Sequence, residues 1–157
     1  MLLLVFDKYT RYACRGIVIK EDKILLSYEI KKDFWMLPGG GREDNEENNE
    51  CVIRELQEET GYVVATKKQT VVVIEYYENI RYVSFYFLCE IVSETSTHLT
   101  EEETENKLER RWIPFKEALN IFSRNEEYRN IYEEKRGAYL REYTALKRMI
   151  EDKDIFL

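Results

Sequence analysis

Three glutamates, Glu55, Glu58 and Glu59, stand at positions i, i+3 and i+4 of one segment. In a helix this spacing projects all three carboxylates from one face. Two carboxylates about 4 Å apart repel each other by roughly 4 kcal/mol at an effective dielectric constant of about 20. Arg54 is the only cation between Glu43 and Thr60. We therefore expect a hard divalent cation on this face. Mg²⁺ is the first candidate, because it keeps water molecules and substrate phosphates in its coordination shell. A merely solvated acidic helix is the alternative.

A glycine-rich turn precedes the acids, with Gly39, Gly40 and Gly41 directly after Pro38. Glycine lets the backbone approach a ligand closely, and the free carbonyls can face a cation. The turn lacks the Gly-Lys-Ser/Thr of a Walker loop and the glycine spacing of a dinucleotide fingerprint. It is thus predicted to work together with the acids that follow it.

The segment between these features predicts a helix from about Asn48 to Gly61, a residue suited to the left-handed position after a helix end. Val52, Ile53 and Leu56 give this helix an apolar stripe for the core. The three glutamates then lie around from that stripe, on the side of the glycine turn.

The segment from position 40 to position 62 resembles the Nudix box of the MutT-like Nudix hydrolase superfamily. The residues that carry the likeness are Gly40, Glu46, Arg54, Glu55, Leu56, Glu58, Glu59, Gly61 and Tyr62. Tyr62 stands where an aliphatic residue is usual, and Asn45 stands where glycine is common. Asparagine tolerates positive φ better than most residues, so the turn is expected to survive.

The resemblance implies an α/β fold, a Nudix-like α/β/α sandwich with a mixed sheet between helices. It also implies metal-dependent hydrolysis of a nucleoside diphosphate linked to another moiety. Mg²⁺, or Mn²⁺ in its place, would bind Glu55, Glu58, Glu59 and the Gly39 carbonyl. Glu55 is the first candidate for the general base and Glu59 the second, while Arg54 would hold Glu46 in place. An acid further along the chain often joins this shell, and Glu109 is our choice over the rivals Glu102, Glu103 and Glu105.

The chain has 157 residues and a net charge of −7. The length predicts a single domain over residues 1–157, and the negative charge disfavours extended nucleic acid as a partner while allowing a small nucleotide. The opening residues 1–6 are apolar but too short to span a membrane and lack a basic flank, so we expect a first strand or a docked terminus. No other run is long enough for a membrane span.

Three widely separated cysteines, Cys14, Cys51 and Cys89, form neither a CxxC pair nor a disulfide framework. This pattern predicts structural thiols and a reducing, cytoplasmic location.

Strands are predicted on both sides of the box. Residues 12–19 and 23–28 are expected to form a hairpin, and residues 71–77 and 81–89 to form central strands joined by a turn. Residues 93–106 are expected to be an exposed polar loop, followed by a short strand over 109–114. His98, the only histidine, is expected to be solvated.

Four residues outside the acids are candidates for substrate binding. Trp35 can stack on a base or cap the core, and Arg15 can contact phosphate. Tyr76 and Tyr82 can reach a substrate, although aromatic residues of strands more often belong to the core.

Two helices are predicted after these strands, over residues 115–122 and 126–150. The second has an apolar stripe of Tyr128, Ile131, Tyr132, Tyr139, Tyr143, Leu146 and Ile150, and Gly137 is expected to weaken or break it. The stripe is expected to pack on the sheet, and a homodimer contact is its alternative use.

The substrate is not specified by the box, because the residues that distinguish subfamilies lie outside it. A second hypothesis is a non-catalytic Nudix-type module that binds a nucleotide. The related isoprenoid diphosphate isomerase chemistry needs histidine ligands, which this chain does not supply.

Overall fold

The computed structural model describes residues 9–156. In this part of the chain the elements follow in the order β1 (Tyr9–Ile17), β2 (Ile19–Lys20), β3 (Lys23–Glu29), β4 (Phe34–Met36), β5 (Gly39–Gly41), α1 (Asn48–Thr60), β6 (Tyr62–Tyr77), β7 (Ile80–Glu94), α2 (Glu101–Glu105), β8 (Leu108–Pro114), α3 (Phe115–Ser123) and α4 (Glu133–Glu151), with a 3₁₀ helix at Arg124–Tyr128 before α4. The strand or docked terminus expected at residues 1–6 lies outside the described residues.

The strands form two sheets. The first sheet has the order β5-β1-β7-β6 and is mixed, because β1 runs parallel to β7 while its other pairings are antiparallel. The second sheet contains β2, β3 and β4, and β8 pairs with β3. The central hairpin of β6 and β7 confirms the strands predicted around 71–89, although both strands are longer than expected.

The hairpin predicted from residues 12–19 and 23–28 is wrong for most of its length. Only Ile19 and Lys20 pair with β3, whereas β1 crosses to the first sheet and lies between β5 and β7. The reason is that β1 finds a parallel partner in β7, from Tyr9 opposite Ile80 to Ile17 opposite Leu88. Such a pairing between distant segments leaves no local turn signal.

Helices cover both faces of the first sheet. On one face α1 packs Cys51, Val52 and Leu56, all fully buried, into an apolar cluster with residues of β1 and β7. On the other face α4 packs against β6, and α3 lies against α4 and the second sheet. Both helices contribute to a second cluster that includes Tyr139 and Leu146. This arrangement confirms the predicted α/β/α sandwich with a mixed sheet.

Helix α1 begins and ends where its sequence predicts. Glu47 and Glu50 form a reciprocal capping box at its start, and Gly61 ends it in the left-handed conformation with φ 78°. These caps satisfy backbone groups that the first and last turns leave without partners. The helix that carries the glutamates is thus fixed locally at both ends.

The last helix differs from its prediction. It begins at Glu133 rather than near residue 126, and it continues through Gly137 without a break. Nothing lies within 4 Å of a side chain built at Gly137, so this glycine only lowers helix propensity, by about 1 kcal/mol. Ile131 is 81% exposed and does not belong to the apolar stripe.

The polar segment 93–106 contains the short helix α2, which was not predicted. Thr100 and Glu103 form its capping box. Among the described residues, no helix has both the length and the apolar character to cross a membrane.

Candidate active site

The glycine strand β5 lies directly against α1. A side chain at Gly40 would come within 2.6 Å of the Glu55 carboxyl group, and one at Gly39 would come within 2.1 Å of the Cys14 carbonyl oxygen. Gly39 also has a φ of 154°, which side-chain-bearing residues rarely adopt. The glycines therefore allow Glu55 to pack on the backbone of β5.

Arg54 binds Glu46 through two parallel hydrogen bonds. Its Nε donates to Glu46 Oε1 at 2.6 Å and its Nη2 donates to Glu46 Oε2 at 3.0 Å. Nη2 also donates to the Gly41 carbonyl at 3.0 Å. The hydrogen bond from Arg54 lowers the pKa of Glu46 below its ordinary value. The structure thus places Arg54 and Glu46 as the predicted brace between the loop and α1.

The same arginine contacts two of the three clustered acids. Arg54 Nη1 donates to Glu55 at 2.9 Å and to Glu58 at 3.2 Å. Among residues 9–156, no group of three or more acidic, histidine or cysteine side chains is arranged to hold a metal ion. A cation bound to Glu55 and Glu58 would therefore require their carboxylates to turn away from Arg54.

Glu59 is held by the second sheet and by β5. Its Oε2 accepts hydrogen bonds from Ser27 Oγ at 3.0 Å and from the Gly39 N–H at 3.2 Å. Burial raises the pKa of Glu59 to about 8, and the charges of Glu103 and Glu55 add to the rise. Ser27, a 2% exposed residue of an apolar strand, was not predicted to have a role at the site.

Burial also raises the pKa of Glu55 above its ordinary value, despite the opposing charge of Arg54. Glu58 and Glu103 contribute to this rise. The charge of Glu103, on α2, therefore acts on both Glu55 and Glu59. Glu109 borders a cavity of about 310 Å³ together with Glu59, but its carboxylate pairs with Arg111. Both Glu103 and Glu109 therefore lie close enough to stay candidates for a further acid at the site.

Glu103 was one of the rivals considered from the sequence, and a local signal for its position exists. The pattern Thr100-x-x-Glu103 is a capping box, which predicts a helix start and directs this side chain. Ser27 has no comparable signal, because a serine within an apolar strand is read as a core residue.

Asn45 has a φ of 64°, so asparagine occupies the positive-φ position of the turn as predicted. The three cysteines are free and buried, in agreement with structural thiols.

A cavity of about 1480 Å³ lies beside the glycine turn, between the first sheet, α4 and the loop of residues 41–46. Of the four predicted substrate-binding residues, Arg15, Tyr76 and Tyr82 line this cavity. Trp35 does not line it. Its ring stacks on Tyr28 with centroids 4.1 Å apart, and the partly buried side chain packs against the core cluster on the α4 side.

The NUDIX domain family matches residues 10–135, most of the chain. The chain therefore belongs to the Nudix family, and this match confirms the predicted class, a Nudix-type hydrolase.

Two relatives illustrate the range of the family. An uncharacterised Nudix hydrolase of Bacillus subtilis, YvcI, is 28% identical over 115 residues, which cover 72% of each chain. The mRNA-decapping enzyme subunit 2 of Arabidopsis thaliana is 30% identical over 98 residues, or 58% of this chain. The match spans only 26% of that plant protein.

The fold is also shared with solved structures. A Nudix hydrolase from Nitrosomonas europaea superposes with a TM-score of 0.59 at 21% identity, covering 68% of this chain and 74% of the other. At this identity the likeness establishes the fold.

Proposed function

We propose that the protein hydrolyses a nucleoside diphosphate linked to another moiety, with a divalent cation at the α1 glutamates. The observation that carries this proposal is the Arg54–Glu46 pair, which joins the loop to α1 beside Glu55 and Glu58. A brace of this kind orients ligands around a charge-bearing centre. Its two side chains are only 24% and 11% exposed, and the two parallel hydrogen bonds hold the loop on α1 in one geometry.

The donor set fits a hard divalent cation. Glu55, Glu58 and Glu59 offer carboxylate oxygens, and within residues 9–156 Arg54 is the one cation that donates hydrogen bonds to two of them. Oxygen donors of this kind suit Mg²⁺, with Mn²⁺ as the alternative. Glu55, Glu58, Glu59 and the Gly39 carbonyl would hold it, with Glu109 or its rival Glu103 as a further acid. When bound, the cation would supply positive charge next to the phosphoryl oxygens.

The side chains around the cation have separate roles in the reaction. Glu55 takes a proton from a water molecule while that water's oxygen attacks phosphorus, and the bond from phosphorus to the bridging oxygen breaks. Glu59 is the second candidate for the base, and its hydrogen bond from Ser27 fixes its orientation. Arg54 and Glu46 hold the loop in a fixed position relative to α1 during these steps.

The substrate is a small nucleotide derivative in this proposal. Arg15, Tyr76 and Tyr82 line the cavity next to the glycine turn, and Trp35 is kept as a further candidate for stacking on a base. One relative is named for mRNA decapping, but a net charge of −7 favours a small ligand over an extended nucleic acid.

The experiment is a panel of nucleoside diphosphate derivatives with Mg²⁺, assayed for release of phosphate or nucleotide. Glu58→Gln keeps the side-chain shape and removes one ligand charge. We expect kcat/KM to fall about a thousand-fold, or about 4 kcal/mol, because a bound cation contributes several kcal/mol to transition-state stabilisation. Glu151→Gln, the same change at an exposed position near the end of α4 and outside the cavity, is the matched control. Activity that persists in Glu58→Gln would contradict the assignment.

A second candidate function is a Nudix-type module that binds a nucleotide without hydrolysing it. The hydrogen bonds from Arg54 to Glu55 and Glu58 favour this candidate, because they neutralise two acids without a metal. Thermal stabilisation by nucleotides without product formation would identify it.

We also propose that residues 1–157 form one Nudix domain that works in a reducing compartment, the cytoplasm. The free state of the three buried cysteines supports the reducing compartment. A homodimer stays a prediction, which light scattering can test.

A further inference from the structure

The glycine strand β5 has no side chains with which to hold its own position. It is three residues long and lies at the edge of the first sheet, next to β1. Glycine loses more conformational freedom on folding than any other residue, so a run of three is costly to order. The position of Gly39 must therefore be set by hydrogen bonds to its own backbone and to the backbone of residues 35–39, which we call the lead-in segment.

Leu37 is held through both of its backbone polar groups. Its N–H donates to Glu142 Oε2 at 2.7 Å, and its carbonyl accepts a hydrogen bond from Arg15 Nη1 at 3.3 Å. The Leu37 side chain is itself 1% exposed. One side chain from α4 and one from β1 thus fix the residue that lies two positions before Gly39.

A second residue of α4 holds the start of the lead-in segment. The Trp35 N–H donates to the Tyr139 hydroxyl at 3.1 Å. Tyr139 and Glu142 are three positions apart, so they lie on the same face of α4, and both are buried. The N–H groups at positions 35 and 37 therefore each find their partner on one face of this helix.

Glu142 is a costly partner if it serves the fold alone. A buried carboxylate loses its hydration, and apolar replacements of buried ion pairs are often neutral or stabilising. Its Oε1 accepts hydrogen bonds from the Tyr86 hydroxyl at 2.6 Å and from Arg141 Nε at 3.1 Å, which leaves Oε2 for Leu37. A carboxylate that is fixed in this way holds its remaining partner in one position.

The other end of the lead-in segment meets the α1 acids. The Gly39 N–H donates to Glu59 Oε2 at 3.2 Å, and the Gly39 carbonyl is one of the groups that would hold the cation. A shift of Gly39 therefore moves a proposed ligand and also a donor that orients Glu59. Groups that orient metal ligands commonly change metal affinity 10- to 100-fold when they are removed.

We propose that Tyr139 and Glu142 are positioning residues for the cation site, which act on Gly39 through the lead-in segment. This inference rests on the proposed function, because it names a support of the same site from the opposite face of the first sheet. Both residues lie beyond the residues 10–135 that match the family. The support therefore comes from a helix outside the part of the chain that carries the acids.

The test is calorimetric titration with Mg²⁺ at a temperature at which every variant is fully folded. Glu142→Gln keeps the shape of the side chain but replaces one acceptor oxygen by a donor, and we expect at least ten-fold weaker binding. Tyr139→Phe is a milder variant that keeps the ring and loses only the hydroxyl. Its binding is expected to weaken about three- to ten-fold, the value of one hydrogen bond.

Met149→Ala is the control for a loss of stability alone. Met149 is fully buried on α4, two turns beyond Glu142, so its truncation destabilises the fold through packing and removes no hydrogen bond from the lead-in segment. Wild-type Mg²⁺ affinity is expected in this variant. Wild-type affinity in both Glu142→Gln and Tyr139→Phe, or an equal loss in Met149→Ala, would overturn the proposal, since α4 would then support only the fold.

A second measurement needs no metal. Hydrogen exchange at the Gly39 amide, followed by NMR, is expected to be at least ten-fold faster in Glu142→Gln than in Met149→Ala, because only the first change releases the lead-in segment. Equal exchange rates in the two variants would overturn the positioning role. Failure of the wild-type protein to bind Mg²⁺ would count against the proposed function, whereas the exchange rates still decide whether α4 positions Gly39.

Discussion

The two faces of the first sheet carry their charges in opposite ways. On the α1 face, Glu46, Glu55 and Glu58 are crowded around one arginine, Arg54, and Glu59 has no arginine within ion-pair distance in the part of the chain that the structure describes. On the α4 face, Glu75 and Glu142 are matched by Arg15 and Arg141. The α1 face carries more negative charge than its own cations neutralise. The α4 face is neutral, but some of its buried polar atoms have no hydrogen-bond partner.

This difference gives each face a different role. An excess of carboxylates is relieved by a cation, which must come from outside the chain. The charges of the α4 face pair within the chain, so their removal is expected to affect stability first.

The largest expected effect concerns stability on the α4 face. Glu142 accepts hydrogen bonds from the Leu37 N–H at 2.7 Å and from Tyr86 and Arg141, so Glu142→Gln leaves a buried arginine short of its partner. We expect the free energy of unfolding to fall by about 3 kcal/mol, as for other broken buried pairs. Urea unfolding measures this loss. Glu134→Gln, on the same helix but exposed, is expected to change stability little.

The difference in the free energy of unfolding between wild type and Glu142→Gln is expected to depend on pH. Burial alone would raise the pKa of Glu142, but Arg141, Arg15, Tyr86 and the Leu37 N–H together lower it below its ordinary value. Its contribution is therefore complete above the unfolded pKa of about 4.3 and is lost as the pH falls through the lower, folded pKa. Unfolding at pH 7 and at acid pH is expected to show a difference between wild type and variant that shrinks on acidification. A difference that grows on acidification would refute the charge pairing.

The next effect concerns the brace on the α1 face. Arg54→Lys keeps the positive charge but cannot form the two parallel hydrogen bonds to Glu46. Activity is expected to fall 10- to 100-fold, the usual range for residues that orient metal ligands. Steady-state kinetics over a range of Mg²⁺ concentrations tests this, with Arg129→Lys as the control for an exposed ion pair. Equal losses in the two variants would mean that the brace has no special role.

The smallest effect has the opposite sign. Without metal, Glu55 repels its neighbouring acids, so Glu55→Gln is expected to leave the metal-free protein as stable as wild type or about 0.5–1 kcal/mol more stable. Thermal unfolding in the presence of a chelator measures this. A clear loss of stability would show that Glu55 serves the fold, and the contrast between the two faces would disappear.

The α1 face could be predicted from the sequence because its signals are local. The box residues lie within one turn and one helix, and the Glu47–Glu50 capping box and Gly61 fix the ends of that helix. The Arg54–Glu46 pair was implied by the resemblance of this segment to the Nudix box, and the positive φ of Asn45 was expected from its residue type.

The α4 face could not be predicted in this way. The pairing of β1 with β7 joins distant segments and sets Arg15 opposite Tyr86, whose hydroxyl donates to Glu142. Hydrophobic periodicity found Tyr139 and Leu146, but it passes over a buried acid such as Glu142, because a glutamate between apolar residues is read as exposed. The charge pairing around Glu142 therefore became visible only in three dimensions.

The most direct test of the central claim is calorimetric titration of Mg²⁺ into wild-type protein and Glu58→Gln. The account predicts a saturable site in the wild type, at least ten-fold weaker binding in Glu58→Gln, and wild-type binding in Glu134→Gln. Equal binding in wild type and Glu58→Gln, or no binding in the wild type in the presence of a nucleotide, would contradict a cation site on the α1 face.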